Sequence, residues 1–356
     1  SRKGESLMAS LADLALGASR GTGVHTRQPA NIIEFVESPW GLNPHNKFFL
    51  FPVQRVILKA HYGLALDENP YDFPMGEIVP KTHTQYDPSL VDVQGFYKFG
   101  VPVSGWDRKN KRYLTEAGYL EWIHSDGRCN ISKVIPGVER RELVLSVGRR
   151  SGKTLISACI ASYETYKLIC KGNPQMFYGL PNSNNIQIIS VATDKDQAGL
   201  LYQEVSGHFR ICEFFAPYAA NNTLSYARFQ TPYDIDQFGI YTEDKDARAS
   251  LKVTFRSCIA KGLRGAGNIV IILDEFAHFK DAGQSSGEAV YDAVVPSSAA
   301  FSPKDQNDTR VALGPSEGRV ITISSPLGRE GPFYNLFNIG MRDPMAGANM
   351  LCVQAP

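Results

Sequence analysis

Apolar residues in this chain fall into short runs bounded by turn residues, and between the runs lie longer stretches where they return every three or four positions. The runs cover 143–147, 186–193, 251–257, 269–273 and 319–324. Runs that are apolar at both odd and even positions read as strands buried on both faces, as the middle of a parallel sheet requires. The periodic stretches, 153–170, 194–210, 288–295 and 332–339, read as amphipathic helices. Asp194 is well placed as an N-cap for the second of them. Alternation of buried strands with helices predicts an α/β fold with a mostly parallel sheet.

The remaining stretches give weaker patterns. A short helix is expected near 6–16, then a loose Gly/Ser/Arg-rich arm over 17–28, then helices over 32–39 and 56–62. Prolines 70, 74, 80, 88 and 102 and scattered aromatics make 63–135 an expected insertion of loops and short strands. Within it, 96–106 and 112–123 flank a basic turn, 107–111. Residues 221–248 read as loops or a hairpin, and 341–356 as an unpatterned tail. The expected division is 1–47 as N-terminal arm and short helices, 48–141 as a segment containing the insertion, 142–340 as core, and 341–356 as tail.

Two of the runs end in residues that carry chemistry. The first passes into Gly148-Arg149-Arg150-Ser151-Gly152-Lys153-Thr154 and so into a helix. A strand, a Gly-containing loop and a helix start form a phosphate cradle, because loop and helix N–H groups face an anion that the helix dipole also favours. In such a Walker A loop Lys153 reaches the outer phosphates of ATP, and the Thr154 hydroxyl sits on Mg²⁺. The usual pattern has glycine at the position of Val147, so the match is a variant one. A basic turn joining strand to helix, with no ligand, is the plainer reading of the same residues.

The run 269–273 ends in Asp274-Glu275. Acids at the carboxyl end of a buried parallel strand lie where α/β sheets bind ligands. This fits a Walker B pair, with Asp274 holding Mg²⁺ through water and Glu275 polarising the attacking water. Upstream, Pro52-Val53-Gln54 matches the Pro-x-Gln element with which ATP-driven nucleic-acid motors recognise adenine, a glutamine amide being both donor and acceptor. A helix start with proline in its first turn explains Pro52 equally. His278 reads as a packing or hydrogen-bonding residue.

Composition narrows the class. With 43% hydrophobic and 21% charged residues the 356-residue chain suits a globular α/β protein. A net charge of +1 gives no global reason for nucleic-acid binding, so such a surface must be a local patch. The six cysteines, 129, 159, 170, 212, 258 and 352, show no metal-ligand spacing and read as reduced, buried thiols. No apolar run has membrane-spanning length, so no membrane partner is expected.

Taken in order, these pieces resemble the N-terminal ATPase domain of the large terminase subunit, the DNA-packaging motor of tailed bacteriophages. That family has a variant P-loop with two basic or polar residues before x-Gly-Lys-Thr/Ser, matched by 148–154. It also has the Pro-x-Gln motif (Pro52, Gln54), the Asp-Glu pair (Asp274, Glu275), an Arg-Gly before the Walker B strand (Arg264-Gly265), and a coupling strand ending in hydroxylated residues before proline (Ser324-Ser325-Pro326). The resemblance covers roughly 48–62 and 142–340, and not 63–135.

The resemblance implies a P-loop NTPase of ASCE/RecA-like type: a mostly parallel sheet flanked by helices, with an N-terminal extension and an inserted loop and short-strand region. It implies ATP and Mg²⁺ as ligands and translocation of double-stranded DNA into a procapsid. The implied partners are a homo-oligomeric ring, the procapsid portal and the small terminase subunit, in the cytoplasm of the infected bacterial host. Arg264 is implied as a trans-acting arginine finger, with Arg149 or Arg150 as cis alternatives, and Ser324 and Ser325 as γ-phosphate sensors. Full-length relatives add a nuclease domain; no cluster of acids at strand ends follows Ser325, so nuclease activity is not expected of this chain.

Three other readings compete. A two-lobed helicase-like ATPase needs a second RecA-like lobe, for which the residues after 325 are too few. A GTPase switch needs an Asn-Lys-x-Asp base-reading motif, which the sequence lacks. A structural subunit that binds nucleotide without turnover has no need of Glu275.

Overall fold

The structure, a computed structural model, describes residues 27–67, 101–102, 113–148, 151–223, 225–241, 247–258, 267–279, 283, 286–305 and 307–355. Its helices are α1 (Ile32–Glu37), α2 (Pro52–His61), α3 (Glu116–Ser125), α4 (Lys153–Cys170), α5 (Lys195–Ile211), α6 (Pro232–Phe238), α7 (Gly287–Ser298), α8 (Gly331–Arg342) and α9 (Pro344–Asn349). Eight strands form a mixed, mostly parallel sheet: β1 (Glu142–Val147), β2 (Ile186–Ala192), β3 (Ala219–Asn222), β4 (Tyr226–Phe229), β5 (Leu251–Ser257), β6 (Asn268–Asp274), β7 (Arg319–Ser324) and β8 (Met350–Ala355). The fold is the α/β class with a mostly parallel sheet that the alternation of runs predicts. Two compact units divide the chain: Ser1–Phe48 with Gly152–Thr322, and Phe49–Ser151 with Ile323–Pro356.

In the first unit the strands run in the order β6-β2-β5-β4-β3. β2 pairs in parallel with both β5 and β6, and every residue of β2 and β6 is buried. Patterning rich in Ile, Val and Leu is what burial on both faces demands. β4 is antiparallel to β5 and to β3, so the stretch expected as loops or a hairpin contains a hairpin at its start. α6 follows it, unforeseen, opened by a reciprocal cap in which Asp234 Nα–H donates to Thr231 Oγ1 and Thr231 Nα–H to Asp234 Oδ2, each at 3.0 Å. Asp194 caps α5 as expected, accepting from the backbone N–H of Asp196 and Gln197. Residues 31–40 pack on α4 through rings, with Phe35 stacked on Tyr166 at 4.9 Å between centroids.

α4 packs on α5, and His208 of α5 lies buried with Nδ1 3.2 Å from Ser162 Oγ of α4. Burial pushes the imidazole down to about 4, so it stays neutral. Glu204, 3.9 Å from Nε2, is therefore not an ion-pair partner at neutral pH. In the unfolded chain an ordinary histidine takes its proton near 6.5, so stability contributed by neutral His208 is present above 6.5 and lost as pH falls toward 4. The full effect is about 3 kcal/mol. Urea midpoints of the wild type should drop over this window, and His208→Gln should flatten that dependence; parallel profiles for the two proteins would contradict it.

In the second unit β8 pairs in parallel with β1, from Met350↔Glu142 to Ala355↔Val147. The expected unpatterned tail is thus corrected: Met350, Leu351, Cys352 and Val353 are buried and extend the sheet beside the P-loop strand. Asn130 clamps this strand with both ends of its amide, Nδ2 donating to Met350 O at 2.8 Å and Oδ1 accepting from Cys352 N–H at 2.9 Å. Two further boundaries differ. α2 starts at Pro52, whose missing N–H costs nothing in the first turn. The stretch 116–125, expected to flank a turn, is α3, capped by Thr115. Glu116, fully buried, accepts from Lys59 Nζ at 2.6 Å and Asp67 N–H at 2.8 Å, which ties α3 to α2 and the chain beyond it. The short pair Val101–Pro102 with Tyr113–Leu114 accords with short strands in the insertion.

All six cysteines are buried free thiols. Among the described residues no helix is long and apolar enough to cross a membrane.

Candidate active site

Helix α4 begins straight after Gly152, which takes φ 79° and ψ 28° as N-cap. This left-handed geometry suits only glycine without strain, so the Gly at this place in the motif has a backbone reason. Gly152 offers no side-chain cap, which leaves the first N–H groups of α4 for another acceptor. The first two helical residues are Lys153, buried, and Thr154, half-buried.

β6 delivers the acids. Asp274 ends the strand, 5% exposed. Glu275 then takes φ 53° and ψ 40° and leads into a 3-10 turn, Phe276–His278. A non-glycine residue held in this region costs of order 1–3 kcal/mol and recurs where function fixes a side chain. The turn is held by packing, Phe276 and Phe279 being buried with rings 5.2 Å apart.

The result, within the first unit, is a three-residue cluster. Lys153 Nζ lies 2.8 Å from Glu275 Oε1. Asp274 Oδ1 is buried and has no hydrogen-bond partner among the described residues. Its carboxyl is pushed up to about 6, first by burial and then by the Glu275 charge, with Lys153 opposing. Two acids face one lysine, and the buried acid has an unused lone pair. The unpartnered buried oxygen of Asp274 is of a kind that suits a divalent cation. His278 Nε2 stands 3.7 Å from Glu275 Oε2, outside hydrogen-bond reach.

The second unit holds the other motif residues. Ser151 Oγ donates to Gly148 O at 2.7 Å, folding the loop on itself. Gln54, 3% exposed, accepts from Phe51 N–H at 3.1 Å, and its Nε2 lies 3.4 Å from Ser151 O. The Pro-x-Gln element therefore touches the P-loop backbone, a contact its sequence separation concealed. Ser324 and Ser325 are buried at the end of β7, Ser324 Oγ donating to Ser325 O at 3.0 Å. Arg149, Arg150, Arg264 and Gly265 lie outside the described residues.

Sequence reasoning did not foresee the Lys153–Glu275 pairing. The only signal for it was the presence of both motifs in one chain.

Comparison with known proteins bears on the class of this site. A family model described as the N-terminal P-loop domain of the uncharacterized protein MJ0330 matches residues 103–308, more than half of the chain. No curated protein matches the chain. Among solved structures, an arginine-to-alanine mutant of the Thermus phage P74-26 large terminase ATPase domain matches with TM-score 0.40 and 18% identity, over 61% of this chain and 76% of that one. The ATPase domain without that mutation gives TM-score 0.38 and 19% identity, over 57% and 66%. The HK97 bacteriophage large terminase gives TM-score 0.38 and 15% identity, and only 36% of its length is spanned.

Proposed function

The chain belongs to the family described as the N-terminal P-loop domain of the uncharacterized protein MJ0330, and from that premise we propose that it hydrolyses ATP to drive double-stranded DNA into a procapsid. The observation that carries the hydrolase reading is the cluster of Lys153, Asp274 and Glu275, with its 2.8 Å ion pair and its unpartnered buried carboxylate oxygen. The DNA-packaging part rests on the ordered set of terminase-like motifs in the sequence.

In this reading Lys153 leaves Glu275 for the outer phosphates when ATP enters the cradle, since a phosphate offers it more negative charge. The freed Glu275 carboxylate takes the proton of a water aligned on the γ-phosphorus. The water oxygen forms the new P–O bond as the bond to ADP breaks, and the leaving oxygen carries the electron pair onto ADP. Thr154 and, through water, Asp274 would hold Mg²⁺, which would supply charge neutralisation on the phosphates. Gly148 through Gly152 wrap the phosphates, Arg149 and Arg150 add positive charge, and Pro52 and Gln54 meet the adenine. Arg264 of a neighbouring copy completes the site, an effect worth about 10³–10⁵ in rate. Ser324 and Ser325 sense the γ-phosphate. The working assembly is a ring of copies on the procapsid portal with the small terminase subunit, in the infected host's cytoplasm.

The test is ATP turnover per chain against protein concentration, with and without double-stranded DNA. Turnover that rises with concentration and with DNA, and that Arg264→Ala copies depress in mixtures with wild type, is the expected result. Flat turnover indifferent to DNA would count against a ring motor.

A further inference from the structure

Gln54 is the third residue of α2, buried, and its amide is engaged at both ends. Its Oε1 accepts from the N–H of Phe51, the residue before the helix, at 3.1 Å. This is ordinary capping, and it needs only an oxygen. A glutamate would supply that oxygen and would suit the positive end of the helix dipole better. What glutamate lacks is the amide N–H. In this chain that group faces the carbonyl of Ser151, 97 positions away in sequence, at 3.4 Å. A carboxylate there would set one acceptor against another.

Ser151 is thus tethered twice within the second unit. Its carbonyl meets Gln54, and its hydroxyl donates to Gly148 O at 2.7 Å. Among the described residues no peptide bond is cis, so the Ser151 carbonyl and the N–H of the next residue point in opposite directions in one plane. Holding the carbonyl therefore fixes the direction of the Gly152 N–H. That N–H is one of the loop donors on which a phosphate cradle depends. Phe51 and Ser151 together use one lone pair and one N–H of the Gln54 amide, and each end has a second. A contact with the loop does not use up the amide.

We propose that Gln54 is a positioning residue for the phosphate loop, holding the Ser151–Gly152 peptide so that its N–H meets a phosphate oxygen. This inference rests on the nucleotide-binding reading above and deepens it: the residue assigned there to adenine also sets the affinity for phosphate, whatever base is attached. The ligand class that the loop takes by itself is then a base-free polyphosphate.

The test is calorimetric titration of wild type and Gln54→Asn with MgATP and with inorganic tripolyphosphate. Asparagine keeps the cap, because Asp234, at the same position of α6, accepts from the N–H of Thr231 at 3.0 Å with a side chain of that length. One methylene shorter than glutamine, it withdraws from Ser151 without adding charge. Tripolyphosphate should bind the variant about 3- to 10-fold more weakly, the worth of one hydrogen bond, and ATP should lose at least the same factor. The loss should appear in KM for ATP more than in kcat, with the urea midpoint at the wild-type value. Should the smaller volume prevent folding, Gln54→Met fills the space and decides by the same two affinities. A variant that loses ATP affinity but binds tripolyphosphate like wild type would overturn the loop contact and leave Gln54 to adenine alone. A midpoint that falls with the affinity of Gln54→Asn would make Gln54 a structural residue. Wild type that binds ATP and not tripolyphosphate would also count against the proposal, since a loop held ready takes phosphates without a base. Wild type that binds neither would sink the nucleotide reading itself.

Discussion

Glu275→Gln is expected to lower ATP turnover by about 10²–10⁴-fold, the range for loss of a positioned general base, while ATP binding persists. The amide keeps the shape of the side chain and still offers an oxygen to Lys153, 2.8 Å away in the wild type. It cannot take the proton from water. The substitution also removes the second largest cause of the raised Asp274 pKa, so Asp274 ionises more readily and remains a competent cation holder. Phosphate release and fluorescent-nucleotide titration on the same preparation separate the two effects. Turnover within a few-fold of wild type would remove the base from Glu275, and lost binding would make it a structural residue.

Lys153→Ala is expected to weaken ATP binding by about 30- to 1,000-fold, from the 2–4 kcal/mol typical of truncating one member of a desolvated charge pair. Two changes act together. The phosphates lose their ammonium partner, and Asp274 and Glu275 lose a cation that opposes their charge. The triphosphate then meets two carboxylates without the Lys153 ammonium to offset them. The double variant Lys153→Ala, Glu275→Gln should recover part of the loss, because one of the repelling charges is gone, and close residues couple in this way. Nucleotide titration of the four proteins gives the coupling directly. Equal affinities for wild type and Lys153→Ala would break the assignment of Lys153 to the phosphates.

The central strands and helices were legible because their patterns are local. Ile186–Ala192 and Asn268–Asp274 are largely apolar on both faces and short, which favours a doubly buried strand over a helix. Asp194 announced α5 by its type and place. The C-terminal strand was missed because Met350-Leu351-Cys352-Val353 is only four residues long; only pairing with Glu142–Val147 and the Asn130 clamp, more than 200 positions away in sequence, make it a strand. α3 was misread because aromatics at 113, 119 and 122 suit strands and helices alike, and the Glu116 contacts to Lys59 and Asp67 decide between them.

The site divides in the same way. Residue types and order pointed to Lys153, Asp274 and Glu275, since those motifs are contiguous. The ion pair between Lys153 and Glu275 and the left-handed backbone at Glu275 depend on how β6 ends against the start of α4. Gln54 is a case of one amide with two readings: its sequence context suggests adenine, and its observed partners are Phe51 N–H and Ser151 O.

The claim on which the rest depends is that this site turns ATP over as well as holding it. The most direct measurement is phosphate release by the purified wild-type chain at saturating ATP, with Mg²⁺ and again with the metal chelated, alongside nucleotide binding in the same samples. Release should saturate in ATP and fall to the Glu275→Gln level on chelation. ATP bound with no release above a protein-free blank, at protein concentrations that permit assembly and with double-stranded DNA present, would contradict it and leave a subunit that binds nucleotide without hydrolysing it.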